Sequence, residues 1–184
     1  YHAGIYWGCL WPYRLKAGLI ETHLAISRNG RVFERLPGRP TLIGRGPVGA
    51  WDAGMIFGSP DWIEVGDQWR IYYGGSDSPH SLVRTPGIGL VTIRKEGFVS
   101  LRGPNHGGVV CTRRMIWPGG NLHVNCDTTL LDAKPGELKV RIVDAGRKVL
   151  PGFDYADSIP FNGDKTSHEV TWKGRNIDSL KGRE

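Results

Sequence analysis

The side chains best suited to chemistry in this 184-residue chain are an aromatic ring and a carboxylate side by side, Trp51-Asp52, with Glu21 and His23 before them and His80 after. A flat indole can stack on the face of a sugar ring while a neighbouring carboxylate or imidazole hydrogen-bonds a hydroxyl, and the seven Trp residues of the chain invite that reading. Each residue also has a plainer role. Asp52 can cap a turn, and Glu21, His23 and His80 can simply be solvated. Trp7, Trp11, Trp62, Trp69 and Trp172 alternate with apolar neighbours as core residues do, which leaves Trp51 and Trp117 beside turns.

Other chemistries find less support. His2, His23, His80, His106, His123 and His168 show no short metal-ligand spacing, and no G-x-S-x-G elbow occurs, so no metal, cofactor or nucleophile pair is expected. Gly44-Arg45-Gly46-Pro47-Val48-Gly49 spells the dinucleotide fingerprint, but Pro47 and the β-like run that follows deny it the helix N-terminus it needs. The three cysteines, Cys9, Cys111 and Cys126, contain no C-x-x-C pair. Pro118-Gly119-Gly120-Asn121 reads as a hairpin turn that would bring the strands of Cys111 and Cys126 together. A disulfide between those two then hangs on a one-residue choice of register, with buried free thiols as the alternative.

Composition narrows the frame that must position these groups. A 39% hydrophobic content with 10% aromatics is too rich for a disordered chain, while 27 Gly and 12 Pro point to many turns between short strands, an all-β signature. No apolar run approaches the ~20 residues of a spanning helix. The sequence opens at Tyr1 without a basic-apolar-small leader, so its start reads as processed or incomplete. The +6 charge is scattered: residues 1–102 carry 12 Lys/Arg and 8 Asp/Glu, residues 103–184 carry 12 and 10. A nucleic-acid module concentrates its charge in a stripe, so nucleic acid is not an expected partner.

Along the chain, residues 5–13, 22–27 and 31–33 read as a meander, and residues 53–57, 62–65, 70–73 and 88–93 as four consecutive antiparallel strands. Four strands in about 45 residues is the size of one propeller blade. Beyond Gly103-Pro104-Asn105, residues 109–117, 121–125, 137–143 and 169–172 read as strands of a second unit, a β-sandwich punctuated by Lys134-Pro135-Gly136 and Asp144-Ala145-Gly146.

The strings Thr22-His23-Leu24-Ala25-Ile26-Ser27-Arg28-Asn29-Gly30, Trp51-Asp52-Ala53-Gly54-Met55-Ile56-Phe57, Tyr72-Tyr73-Gly74-Gly75 and Gly87-Ile88-Gly89-Leu90 resemble the last part of a five-bladed propeller. The relatives are glycoside-hydrolase-like proteins of the family 32, 43 and 68 type, in particular those with a small trailing β-sandwich. The second half is similar too, in Trp117-Pro118-Gly119-Gly120-Asn121-Leu122-His123 and Val170-Thr171-Trp172-Lys173-Gly174. Such blades commonly end in Ser-x-Asp-Gly, where this chain has Asn29 and Glu96 at the acidic position.

The resemblance implies an all-β fold of about one and a half blades followed by a small β-sandwich. Residues 1–101 would end the propeller, with a partial blade at 1–36 and a full one at 51–97. Residues 102–184 would form the accessory domain, stopping before a closing strand. Glycosidic cleavage needs two carboxyl groups roughly 5 to 9.5 Å apart around one sugar, and in that fold the working acids belong to the first three blades, so no catalytic residue is expected in this chain. Asp52 would precede an inner strand and, with Trp51, Glu21, His23 and His80, line a sugar pocket. The implied partners are an oligosaccharide and the rest of a propeller or another copy, with no membrane, and the implied setting is secreted or extracellular. The alternatives are a non-catalytic carbohydrate-binding or surface-assembly protein and a polyanion binder.

Overall fold

The computed structural model describes residues 1–104, 106–129 and 136–184. The chain is all-β and divides into two compact units, Tyr1–Lys95 and Glu96–Glu184.

The first unit runs β1 (Tyr6–Leu10), β2 (Tyr13–Arg14), β3 (Leu19–Ile20), β4 (Thr22–Ser27), β5 (Glu34–Arg35), β6 (Thr41–Ile43), β7 (Met55–Val65), β8 (Gln68–Ser76) and β9 (Pro86–Arg94). These make two open sheets. In one, β4 lies between β1 and β5 and also pairs with β6; the other has the order β2-β3-β7-β8-β9. Pairing is antiparallel throughout except where Ile20 of β3 meets Met55 of β7. Ile20 therefore ends one sheet and Thr22 begins the other, with Glu21 as the only residue between them.

The β7–β8 turn is made possible by Gly66, which takes φ +58°. At the Ser27–Gly30 turn Asn29 does the holding: its Oδ1 accepts from the amides of Arg31 and Val32 at 2.9 and 3.0 Å.

Residues 53–57 and 62–65, expected as separate strands, are one. Ser59-Pro60-Asp61 reads as a break in sequence, yet the ladder passes from Gly58 opposite Tyr73 to Trp62 opposite Ile71 across a bulge. The bulge is satisfied from outside its own strand. Thr22 Oγ1, fully buried, accepts from Gly58 N at 2.8 Å and donates to Ile56 O at 3.3 Å, and the Trp62 indole donates to Ser59 O at 3.1 Å. A Pro without an N–H is tolerated at such a site. The expected strand at 31–33 lies instead at β5, and β2 and β3 join the sheet of β7.

The core of this unit centres on Ile43, Ile56 and Ile71, with Leu42, Trp62, Tyr73, Val91 and Ile93 packed around them. Each fully buried Ile contributes about 1.5 to 3 kcal/mol. Ile71 faces Trp62 and Val91 across the ladder, so strand alternation sends Tyr73 and Gly75 to the same face and Arg70 and Tyr72 to the other.

The second unit holds one regular ladder, β10 (His123–Asp127) against β11 (Asp164–Glu169), with a bulge between Val124 and Cys126. Isolated bridges join Leu138 to Phe161, Val143 to Val149, and Trp172 to Ser158 and Arg175. Phe153, Val170, Trp172, Ile177 and Leu180 form its core, the last two on a 3-10 turn whose Asn176 cap accepts from Asp178 N at 2.8 Å.

Several expectations are corrected here. Residues 109–117 form no strand, and Val109 is 74% exposed. The segment docks by its end, where Trp117 N donates to Arg183 O at 2.9 Å. The strand expected at 121–125 lies at β10, 137–143 supplies only bridges, and the run expected at 169–172 meets β11 at Glu169 alone, with isolated bridges at Trp172. Two packed sheets of a sandwich are not formed among the described residues. Asn105, Lys134 and Pro135, read as punctuation, lie outside them.

Candidate functional site

Three connections of the first unit gather at one end of its larger sheet: the β2–β3 turn, the loop into β7, and the β8–β9 loop. Backbone bonds tie them together. His80 N donates to Gly18 O at 2.9 Å and Gly54 N to Ser76 O at 2.8 Å, and within the loop into β7 Gly46 N donates to Asp52 O at 3.3 Å. The Gly44–Gly49 string is thus a loop folded over Asp52, and no helix follows it.

At this end Trp51 and Tyr73 lie nearly parallel, ring centroids 5.7 Å apart and planes at 19°. The Tyr73 hydroxyl donates to Asp52 Oδ2 at 2.9 Å. Burial, then the bond to Asp52 and its charge, push the phenol above the ordinary tyrosine range. Trp51 stays 42% exposed.

Glycine makes room for both rings. A Cβ on Gly87 would stand 2.6 Å from the Trp51 ring, one on Gly75 2.9 Å from it, and one on Gly89 2.2 Å from the Tyr73 ring. Tyr73 pairs with Gly89 and Gly75 with Gly87, so the ladder register itself clears this patch of side chains. Sequence reasoning chose Trp51 and Asp52 but passed over Tyr73 and the three glycines. The signal was a Tyr-x-Gly and a Gly-x-Gly on adjacent strands, which acquires meaning only when the register aligns them.

Glu21 and His23 form a different group. Both are buried, and Glu21 Oε1 and the two ring nitrogens of His23 have partners within the protein. Glu21 Oε1 accepts from the Arg14 guanidinium and lies 3.0 Å from His23 Nε2. Arg35 Nη2 lies 2.7 Å from His23 Nδ1. A guanidinium only donates, so Nδ1 accepts and the ring hydrogen sits on Nε2, directed at Glu21. The bond from His23 lowers the Glu21 carboxyl below the usual range against the opposing effect of burial, with help from Arg14. This is a hydrogen-bonded chain from Arg14 through Glu21 and His23 to Arg35 across the Glu21 crossing, and it turns both site candidates toward partners other than Trp51.

His80 is exposed and stands edge-on to Tyr13, centroids 5.7 Å apart, with Arg84 donating to its carbonyl at 2.6 Å. Among the described residues no group of three His, Cys, Asp or Glu side chains could hold a metal, and no helix is long and apolar enough to cross a membrane. The possible Cys111–Cys126 disulfide is not formed, and of the free-thiol alternative only the burial fails, since Cys111 is exposed. Cys111 is an exposed free thiol outside any strand, and the strand beside Cys126 is β11, where Lys165 is its register partner. The Pro118–Asn121 turn does not bring 109–117 alongside β10.

Fold and site together define an all-β protein of two units, the first carrying an aromatic-carboxylate pair on a glycine-cleared sheet end. Compared with known protein families, curated proteins and solved structures, the chain matches none.

Proposed function

We propose that the Tyr1–Lys95 unit is a carbohydrate-binding wedge of the propeller type that its sequence resembles, and that it holds a neutral oligosaccharide against Trp51. The observation that carries this reading is the half-exposed Trp51 ring, aligned with Tyr73 and fixed beside the Asp52 carboxylate. A stacking ring flanked by a preorganised hydrogen-bond acceptor is the arrangement that sugar recognition needs. Binding, and not cleavage, is the proposed activity of this chain. Cleavage takes two carboxyl groups around one sugar, and Glu21 is already committed to Arg14 and His23.

Isothermal titration of the protein with neutral hexasaccharides of glucose, xylose, arabinose and fructose tests the proposal. At least one should bind, Trp51→Ala should abolish the heat, and raising the salt should leave affinity nearly unchanged. No heat with any of the four overturns it. Binding only to a polyanion such as heparin, weakening steeply with salt, supports the basic-surface alternative instead.

A further inference from the structure

The three connections at the Trp51 end of the larger sheet share a feature that sugar binding does not use: each carries an aliphatic side chain at its tip. Leu15 in the β2–β3 turn is 81% exposed, and Val48 in the loop into β7 and Val83 in the β8–β9 loop are as open as in an unfolded chain. The tips are formed structure. Ala17 N donates to Arg14 O at 3.0 Å, Ala50 N to Pro47 O at 2.9 Å and Leu82 N to Pro79 O at 3.1 Å, the last turn ending just before Val83. Turn corners ordinarily hold Gly, Pro, Asn, Asp or Ser, and an exposed aliphatic residue there gains nothing from the fold. At the opposite end of the same sheet the β7–β8 turn is Gly66-Asp67, with no such tip.

Cations stand beside the tips. Lys16 follows Leu15 and Arg84 follows Val83, both exposed, and Arg45 lies in the loop of Val48. Arg84 donates to His80 O at 2.6 Å and Arg45 to Ala53 O at 2.8 Å, which holds each guanidinium at this end. The two carboxylates of these loops are occupied within the fold, Asp52 by the Tyr73 hydroxyl and Asp77 by the Thr85 amide at 2.9 Å.

We propose that this end of the first unit docks on an anionic lipid bilayer, with Leu15, Val48 and Val83 dipping below the headgroups and Lys16, Arg45 and Arg84 meeting the lipid anions. Separate aliphatic fingers suit a fluid layer, which fills the gaps between them, better than a folded protein, which needs a matching hole for each. Interfacial binding of this kind grows with the apolar area inserted and with the attraction of basic residues to anionic lipids. Trp51, half-exposed at the same end, falls at headgroup level, where indoles settle. The proposal departs from the sequence expectation of no membrane partner, because docking needs no spanning segment.

Co-sedimentation of the whole 184-residue protein with vesicles tests this. The wild type should pellet at low salt with phosphatidylcholine vesicles holding about 30% phosphatidylserine, pellet less as salt rises, and stay in solution with phosphatidylcholine alone. Neither lipid carries a sugar, so the outcome is independent of what Trp51 holds. Leu15→Ser, Val48→Ser and Val83→Ser should each weaken binding by about tenfold, and Lys16→Gln and Arg84→Gln each by about fivefold. These side chains are exposed, so the fold should hold, which circular dichroism checks. Ile63→Ser, at a half-exposed aliphatic on the outer face of the sheet, should change nothing. No pelleting with either vesicle overturns the proposal and leaves the tips to a protein partner. Equal pelleting with both vesicles overturns it too, as does binding that survives the three tip changes together or that falls as far in Ile63→Ser.

Discussion

Tyr73 donates its hydroxyl to Asp52 at 2.9 Å, although the two are 21 residues apart and on different elements. This bond sets the carboxylate beside Trp51 and keeps the phenol protonated, linking the floor of the site to its polar group.

The tyrosine provides a direct readout. Its ionisation is opposed first by burial and then by Asp52, so titration of absorbance near 295 nm should show one phenol ionising above the others, lost in Tyr73→Phe and shifted down, but not to the ordinary value, in Asp52→Asn. The fold favours the protonated form. The corresponding stability is intact below the ordinary tyrosine value of 10.0 and falls as pH rises through the raised one.

Glycine at position 89 should be irreplaceable. A Cβ there would fall 2.2 Å from the Tyr73 ring, and Gly89→Ala should cost about 1 to 3 kcal/mol by urea unfolding as the ring is forced aside. Gly74→Ala meets nothing within 4 Å on the opposite face of the same sheet and should be close to neutral. Equal losses at the two positions would show that backbone freedom, and not the ring, sets the requirement.

The Glu21 carboxyl is held below its usual range by His23, assisted by Arg14. Its stabilising effect is present above the unfolded carboxylate value near 4.5 and disappears as pH falls through the lowered value. Glu21→Gln should therefore unfold more readily than the wild type at pH 7, by about 1 to 2 kcal/mol, and the gap should close in acid. Denaturant midpoints at pH 7 and pH 3 check this, a constant gap being the contrary outcome.

Thr22 grips the β7 bulge through its hydroxyl. Thr22→Val keeps the shape but strands the buried Gly58 amide, at an expected cost of about 1 to 3 kcal/mol, while Thr22→Ser keeps the bond and should lose less. Thermal melts of the two variants rank them.

The strands that read as short apolar runs bounded by turn residues were legible in the sequence. Ile88, Leu90, Val91 and Ile93 announce β9, and Gly66-Asp67 marks the turn before β8, because both signals are local. What escaped was set by residues far away. The Ser59-Pro60-Asp61 interruption looks like a strand end until Thr22, 36 residues earlier, satisfies Gly58. Residues 109–117 have the composition of a strand, but a strand needs a neighbour, and the one beside Cys126 came from β11. In the site, Trp51 and Asp52 stood out by residue type. Tyr73 did not, since its role depends on which glycines the register lays beside it. Likewise nothing near Glu21 and His23 in sequence foretold that Arg35 would occupy the free imidazole nitrogen.

The passage from Ile20 to Thr22 leaves the two layers of the first unit sharing a joint one residue long, with no slack for one to slide over the other. Strain entering β7 is handed to β4 through the Thr22 hydroxyl, so the layers should surrender together, and their amides should trade hydrogen for deuterium as a single cooperative set.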